Sequence, residues 1–448
     1  MKPIVQTTLG DIAAKVVMGP FGSKIKTENF VQAGTPVIRG GNLTDSKFND
    51  NGLVFVDDTK ADELKSAWAF PLDIVITHRG TLGQAAIIPT SAKHKKYIVS
   101  QSQMKISIDQ SKADPYFIYY FLNSPIGQQR LLANTSQVGV PAIAQPTGSI
   151  KAIAIDLPEH VEDQAEIARV LRSFDDKIEL NRRLSETLES IAQALFQSWF
   201  VDFDPVRAKA SDEAHDAICQ RLGLTPALLA LFPDRLVESE LGEIPDGWDI
   251  CPAGQLSDIG IGKTPPRKQV EWFSNNPKHC RWISIRDMGR SDAFVRQSSE
   301  TLTPEAVERF NIRRIPDYTV LLSFKLTIGR LAITDGEMTT NEAIAHFKLD
   351  AESRVTTEFL YFYLRSFDFD RLGSTSSIAE AVNSRMIRDL PVLVPNKDLI
   401  EAYSLQARGL LNAIRATGRE ADSLVQTRDA LLPKLLSGEI TIPSESDD

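Results

Sequence analysis

The feature that most constrains the fold is an internal echo, because long stretches of the 448-residue chain return later in the same order. Phe117-Ile118-Tyr119-Tyr120-Phe121-Leu122-Asn123-Ser124 reappears as Phe359-Leu360-Tyr361-Phe362-Tyr363-Leu364-Arg365-Ser366, an offset of 242. Upstream, Arg79-Gly80-Thr81-Leu82-Gly83 pairs with Lys325-Leu326-Thr327-Ile328-Gly329 at an offset of 246. Downstream, Arg130-Leu131 matches Arg371-Leu372 and Thr135-Ser136 matches Thr375-Ser376. Ile155-Asp156-Leu157-Pro158 then matches Val392-Leu393-Val394-Pro395, where the offset has fallen to 237. Ordered matches with a slowly drifting offset are what two copies of one unit and a few short deletions produce.

Each copy reads as mixed α/β, with short β-branched runs such as 73–77 and 85–88, Gly and Pro at the turns, and one aromatic helix. A long heptad-like helix follows each copy. The first has Ile167, Leu171, Phe174, Ile178, Asn181, Leu184, Leu188, Ile191 and Leu195 at steps of three or four. The second has Tyr403, Ala407, Leu410, Ile414, Thr417, Ala421, Leu424, Arg428, Leu431 and Leu435. Such seams predict rods of roughly 50 Å that pack on each other, antiparallel, and separate the two units, with Asn181 as a polar register point. The expected fold is therefore α/β (α+β): two similar mixed units, an internal pseudo-repeat, and two long antiparallel coiled-coil helices. The expected boundaries are 1–158, a helix at 159–200, a connector at 201–244, a second unit at 245–395, and a helix with tail at 396–448.

Charge is distributed unevenly along this frame. Lys+Arg against Asp+Glu is 16 to 12 in residues 1–158, 9 to 18 in 159–244, 19 to 20 in 245–395 and 6 to 9 in 396–448. Fourteen of the 19 cations of the third segment are arginines, whose guanidinium suits guanine edges and phosphates. The two units are thus the candidates for nucleic-acid contact, and the acidic helices and connector are not. A hydrophobic share of 42% and a charged share of 24% are globular values that argue against extensive disorder. No apolar run approaches the roughly 20 residues a membrane helix requires. The start of the sequence has no apolar export segment, so a cytoplasmic location is expected. Cys219, Cys251 and Cys280 are widely spaced and form no CxxC pair, which predicts ordinary buried or inert thiols rather than disulfides or a zinc site.

No constellation predicts catalysis. Gly19-Pro20-Phe21-Gly22-Ser23-Lys24 does not fit a phosphate-binding GxxxxGK[ST] loop, and neither GxSxG nor HExxH occurs. Thr264-Pro265-Pro266-Arg267 differs at both ends from the Asn/Asp-Pro-Pro-aromatic motif of amino-methyltransferases. His279-Cys280 lacks a second ligand pair. Asp57-Asp58 and Asp175-Asp176 read as solvated surface. The chain is expected to bind rather than to catalyse.

Several strings carry a family resemblance. Gly19-Pro20-Phe21-Gly22-Ser23-Lys24-Ile25 and Gly262-Lys263-Thr264-Pro265-Pro266-Arg267 resemble the openings of two target-recognition domains. Leu157-Pro158 with Gln164, Ile167, Leu171, Asp175, Asp176 and Ile178 is similar to a central conserved helix. Phe200-Val201-Asp202-Phe203-Asp204-Pro205 and Glu240-Leu241-Gly242-Glu243-Ile244-Pro245-Asp246-Gly247-Trp248 resemble its linker and the lead-in to the second domain. Arg428-Asp429-Ala430-Leu431-Leu432-Pro433-Lys434-Leu435-Leu436-Ser437-Gly438-Glu439-Ile440 is similar to the end of a distal conserved helix. Over nearly its whole length the sequence resembles the specificity subunit of type I restriction-modification systems.

The resemblance implies a non-catalytic DNA-binding protein that reads a bipartite duplex target, one half-site per recognition domain. It implies docking of two methyltransferase subunits, and of two restriction subunits in a full complex. S-adenosylmethionine, ATP and magnesium would then belong to those partners, and the chain itself would hold no cofactor and no metal. Chemistry selects the DNA-binding candidates, as polar side chains in or beside glycine-bearing loops that reach a base edge or phosphate. These are Ser23, Lys24, Lys26, Arg39, Asn42, His78 and Arg79 in the first unit, and Arg267, Lys268, Arg286, Lys325, Arg330 and Arg385 in the second. A coiled-coil scaffold with protein-binding ends is the alternative from another class.

Overall fold

The computed structural model describes residues 3–44, 47–136, 139–211, 213–372 and 382–442. The chain forms two compact units, residues 1–177 with 423–448, and residues 178–422. The division falls inside both long helices, Val161–Phe200 and Lys397–Leu436, each 40 residues long.

The first unit is built on an antiparallel sheet of the strands Ala13–Met18, Gln103–Ile108, Ile74–Thr77 and Ala85–Ile87, in that order. Its last three strands are buried on both faces, whereas Ala13–Met18 is a partly exposed edge, and the period of two sorts the buried side chains between two cores. Ile74, Ile76, Met104 and Ile106 join Phe117, Tyr120 and Phe121 of the aromatic helix Pro115–Asn123. Val75 and Ala86 point the other way, into a core with Val37, Val56 and Ile98. This second core belongs to a smaller sheet of Val54–Val56, Thr35–Ile38, Tyr97–Val99 and Trp68–Ala69, in which Thr35–Ile38 and Tyr97–Val99 are parallel. The aromatic helix starts where the Asp114 carboxylate accepts the Phe117 N–H and Pro115 occupies the first turn. Ile4–Thr8 pairs with Ala154–Pro158 and closes the unit just before its long helix.

The second unit repeats the core of this plan, with differences at the sheet edges. Its main sheet runs Asp258–Ile261, Ile344–Lys348, Val320–Ser323 and Leu331–Thr334, with Phe294–Val295 added in parallel at the edge. Its smaller sheet holds Phe273–Ser274, Glu300–Leu302, Cys280–Ile283 and Thr339–Thr340, the last two again parallel. Asp249–Pro252 pairs with Pro391–Val394 as the closing ribbon, and Thr357–Ser366 is the aromatic helix. The duplication is thus a shared topology, and the echo at 117–124 and 359–366 is one helix in two copies. The predicted match at Thr375-Ser376 lies outside the described residues. The connector is helical over Asp204–Ala210, His215–Leu222 and Pro226–Leu229, and it sends Phe203, Val206, Ile218 and Phe232 into the core of the second unit.

The long helices pair antiparallel within each unit. In the second, buried Asn181 donates to the Glu420 carboxylate at 2.8 Å, Ser185 meets Thr417 at 2.9 Å, and the Tyr403 hydroxyl donates to the Ala192 carbonyl at 3.2 Å. The predicted seam needs a correction beyond Asn181. Leu184 and Ile191 are 42% and 46% exposed, while Ser185, Ala192 and Phe196 face inward. In the first unit Asp175 is not solvated surface as expected, since it accepts from the Tyr120 hydroxyl at 2.6 Å and pairs with Arg428. The three thiols are free and half-buried, and burial pushes that of Cys280 up, towards the unreactive thiol form. Among the described residues no helix is long and apolar enough to cross a membrane.

Candidate nucleic-acid interface

In each unit four connections converge on the same end of the main sheet. They are a lead-in loop (19–26 and 262–268), a turn after the first strand of the smaller parallel pair (39–42 and 284–287), a hairpin loop (78–84 and 324–330) and a crossover turn (100–103 and 340–343).

Sterics fix the lead-in loop. The Gly19 N–H donates to the Gln103 carbonyl at 2.8 Å, and a Cβ on Gly19 would lie 1.9 Å from the Ser100 carbonyl oxygen. Gly262 is in the same position, where a Cβ would lie 2.2 Å from the Asn341 oxygen. Only glycine allows this approach of two backbones, which is why both predicted openings begin with it.

Hydrogen bonds then lock the floor of the first unit's site. Asn42 accepts from the Arg39 N–H at 3.0 Å and donates to the Asn49 and Asn51 carbonyls, each at 3.1 Å. His78 lies against the Gln101 carbonyl through Nε2 at 3.1 Å, and burial lowers its pKa, leaving a neutral ring whose Nε2–H donates. Gln84 donates to the Gly40 and Leu43 carbonyls at 3.2 and 2.6 Å and accepts from Thr77. Gln84 and Thr77 line an open cavity of about 380 Å³, with Arg39, Arg79, Gln101 and Thr81 also on its wall. The side chains of Arg79 and Gln101 are exposed and make no hydrogen bond or ion pair among the described residues. Arg39 has a single 3.5 Å contact, to the Gly52 carbonyl.

The second unit uses different residues for the same bracing. The Arg330 guanidinium donates to the Ile285 carbonyl at 2.8 Å, the bond that Gln84 makes to Gly40 in the first copy. Asp287 caps its turn by accepting from the Ser284 N–H at 2.9 Å, as Asn42 does for Arg39. The Trp282 indole donates to the Lys263 carbonyl at 3.0 Å.

Of the predicted residues, Lys24, Lys26, Arg39 and Arg79 stand at the rim of the first unit, with Lys26 also 3.3 Å from Glu28. Lys268, Arg286 and Lys325 are exposed at the rim of the second, with no ion-pair partner among the described residues. Ser23 belongs to the short helix Gly22–Lys24, and its side chain is outside the described residues. The remaining predicted residues lie elsewhere than at an open rim. Asn42 and His78 are 3% and 6% exposed and brace the floor, as Arg330 does. Arg267 is clamped: its Nη1 donates to both Glu300 oxygens at 2.8 Å, and its guanidinium lies 4.4 and 4.6 Å from the ring centres of Phe273 and Trp282. Arg385 lies apart, in the helix Ser384–Arg388 beside the turn that precedes Asp258–Ile261, at the far end of that strand from Gly262. Gln101, exposed on the cavity wall, is not among the predicted residues, which are cations and polar groups of glycine-bearing loops. Its signal was the Ser-Gln-Ser step between two strands.

Such a rim suits a nucleic acid. Unpaired cations attract phosphates, and guanidinium and carboxamide groups match the hydrogen-bonding edges of guanine and adenine in the major groove.

Comparison with known proteins places this geometry. A family model described as the type I restriction modification DNA specificity domain matches residues 1–190 and again 245–399. The chain is similar to the type I restriction enzyme HindI specificity subunit of Haemophilus influenzae, 29% identical over 382 residues that cover 77% of this chain and 81% of that protein. It is also similar to the MjaIX specificity subunit of Methanocaldococcus jannaschii, 21% identical over 385 residues, covering 82% and 78%. The crystal structure of a type I restriction-modification S subunit from M. genitalium shares the fold, with a TM-score of 0.56, 15% identity and coverage of 97% and 96%. The chain belongs to the type I restriction-modification DNA specificity family, and the two matched segments contain the two rims.

Proposed function

We propose that the two rims read the two halves of one bipartite duplex target, and that the chain supplies sequence recognition without catalysis. The observation that carries this reading is the pair of equivalent four-loop rims, one per unit, each braced from below and each presenting different unpaired polar side chains. One scaffold with two sets of tips is what two unrelated half-sites need.

Methyl transfer and DNA cleavage then fall to partners: two methyltransferase subunits and, in a full complex, two restriction subunits. S-adenosylmethionine, ATP and magnesium act on those proteins. Exposed Leu180, Leu184 and Ile191 on the first long helix and Leu405 on the second support helix-mediated docking of such partners.

The test is selection from randomised DNA duplexes by the full chain assembled with a type I methyltransferase subunit. The expected motif has two short fixed blocks around a constant unspecified gap. Arg79→Ala is expected to relax one block and Arg286→Ala the other. A complex with no sequence preference, and no loss of affinity as salt rises, would instead support a protein-binding scaffold.

A further inference from the structure

The hairpin loop of the second unit carries a side chain that neither packing nor charge explains. Leu326 is 98% exposed, and its φ of +63° places it in the left-handed region, where a leucine Cβ crowds its own carbonyl. The matching residue of the first unit is Gly80, with a φ of +96°. Three residues on, Gly83 and Gly329 agree at +87° and +86°. The two loops therefore share one backbone course, for which glycine is the undemanding choice. The second copy has a leucine there, and in the folded chain it touches almost nothing.

The tip is nonetheless held firmly. Buried Ser323 donates through Oγ to the Thr327 carbonyl at 2.6 Å and accepts the Arg330 N–H at 3.0 Å, while the Gly329 N–H donates to the Ser323 carbonyl at 3.0 Å. Arg330 ties the same loop to the turn that bears exposed Arg286, and Lys325 stands next to the tip. An apolar side chain is thus presented next to exposed Lys325, whose ammonium lies 5.4 Å from the Phe324 ring centre, on the rim proposed to meet DNA.

We infer that Leu326 is a specificity-determining residue that contacts the 5-methyl group of a thymine in the half-site bound by the second unit. The inference rests on the DNA-reading function proposed above. Thymine carries the one apolar group on the major-groove edge of the bases. At any other base, leucine would cover donors or acceptors and leave them unpaired. At the matching hairpin position the first unit has Gly80, with exposed Arg79 and Gln101 near it, so this loop position confers methyl sensitivity on the second half-site and not on the first.

The experiment compares two randomised duplex libraries, one with thymine and one with deoxyuridine throughout, bound by the full chain in complex with a methyltransferase subunit. The Arg79→Ala variant tells which block belongs to which unit. The wild type is expected to lose about four-fold in affinity for each contacted methyl group removed from the second unit's block. Leu326→Gly suits the backbone and keeps the loop, and it is expected to bind both libraries alike. Three results would overturn the inference: a wild-type motif unaffected by uracil, methyl sensitivity retained in Leu326→Gly, or sensitivity confined to the first unit's block. Equal weakening of both libraries by Leu326→Gly would mark a wedge between bases and would also overturn it. If the wild type selects no motif even from thymine DNA, the proposed reading of DNA fails first and the inference falls with it.

Discussion

Gly260 and His346 face each other across neighbouring strands of the second unit, so closely that a Cβ on Gly260 would lie 2.0 Å from the imidazole Cε1. His346 is 1% exposed and its Nε2 has no hydrogen-bond partner. Burial, with Arg313 nearby, lowers its pKa to about 4 against the opposing pull of Asp258. An unfolded histidine titrates near 6.5, so between these values the unfolded chain binds more protons and stability falls as pH falls. The loss is on the order of 3 kcal/mol across that window. Denaturation curves from pH 7.5 to 4.5 are expected to show it in the wild type and to flatten in His346→Gln; parallel curves would assign the dependence to other groups. The braces teach a second lesson at this scale. Arg330 looked like a DNA contact because a cation beside a glycine reads that way, yet the offset of 246 aligns it with Gln84, and a position that accepts either residue while keeping one carbonyl partner is a brace. Arg330→Gln is therefore expected to preserve binding by the second unit, and Arg330→Ala to weaken it. Equal effects would refute the equivalence. Side-chain destinations of this kind were not legible, since a sequence shows that a polar group sits in a loop but not which carbonyl lies beneath it.

At the scale of elements, the second long helix is joined to its unit by an ion network. Asp335, at the end of Leu331–Thr334, accepts from Arg415 at 2.8 Å and from Arg419 at 3.0 Å, and Arg415 also reaches Asp317 at 2.6 Å. Burial pushes the Asp335 carboxyl up, but Arg419 and Arg415 outweigh it and its pKa falls below the usual carboxylate value. Its contribution is therefore complete above an unfolded pKa of about 4 and is lost as pH drops further through the depressed folded value. Asp335→Ala leaves two arginines without their buried partner and is expected to cost about 2–3 kcal/mol in urea unfolding of the second unit; a cost under about 0.5 kcal/mol would make the network ornamental surface charge. The helices themselves were legible from spacing, and so was Asn181 as a buried polar point. The seam beyond it was not, because Ser185 and Ala192 occupy the contact while Leu184 and Ile191 face outward, the reverse of what hydrophobicity predicts. Ser185→Leu is accordingly expected to destabilise by about 1–3 kcal/mol through overpacking, and Leu184→Ser to change stability by less than about 0.5 kcal/mol. Thermal unfolding of the two variants decides the register; the opposite ranking would restore the predicted seam.

For the whole molecule, the repeated order of short motifs was enough to read two copies of one mixed unit, and the four shared strands of the main sheets and the parallel pair in each smaller sheet agree, while the sheet edges differ. Charge by segment favoured the units over the helices, and Arg79, Lys268, Arg286 and Lys325 are exposed on the units' loops. The identity of the bases was not legible, because on the proposed reading it depends on a few loop tips such as Gln101 and Leu326 whose neighbours come from distant parts of the chain. The central claim is that each rim reads half of one DNA sequence. Co-expression with a type I methyltransferase subunit, followed by single-molecule sequencing of the host DNA for N6-methyladenine, tests it most directly. The account predicts one methylated motif of two short blocks around a fixed gap, with Arg79→Ala and Arg286→Ala each degrading a different block. A stable complex that left the DNA unmethylated, or a single continuous motif insensitive to either substitution, would contradict it.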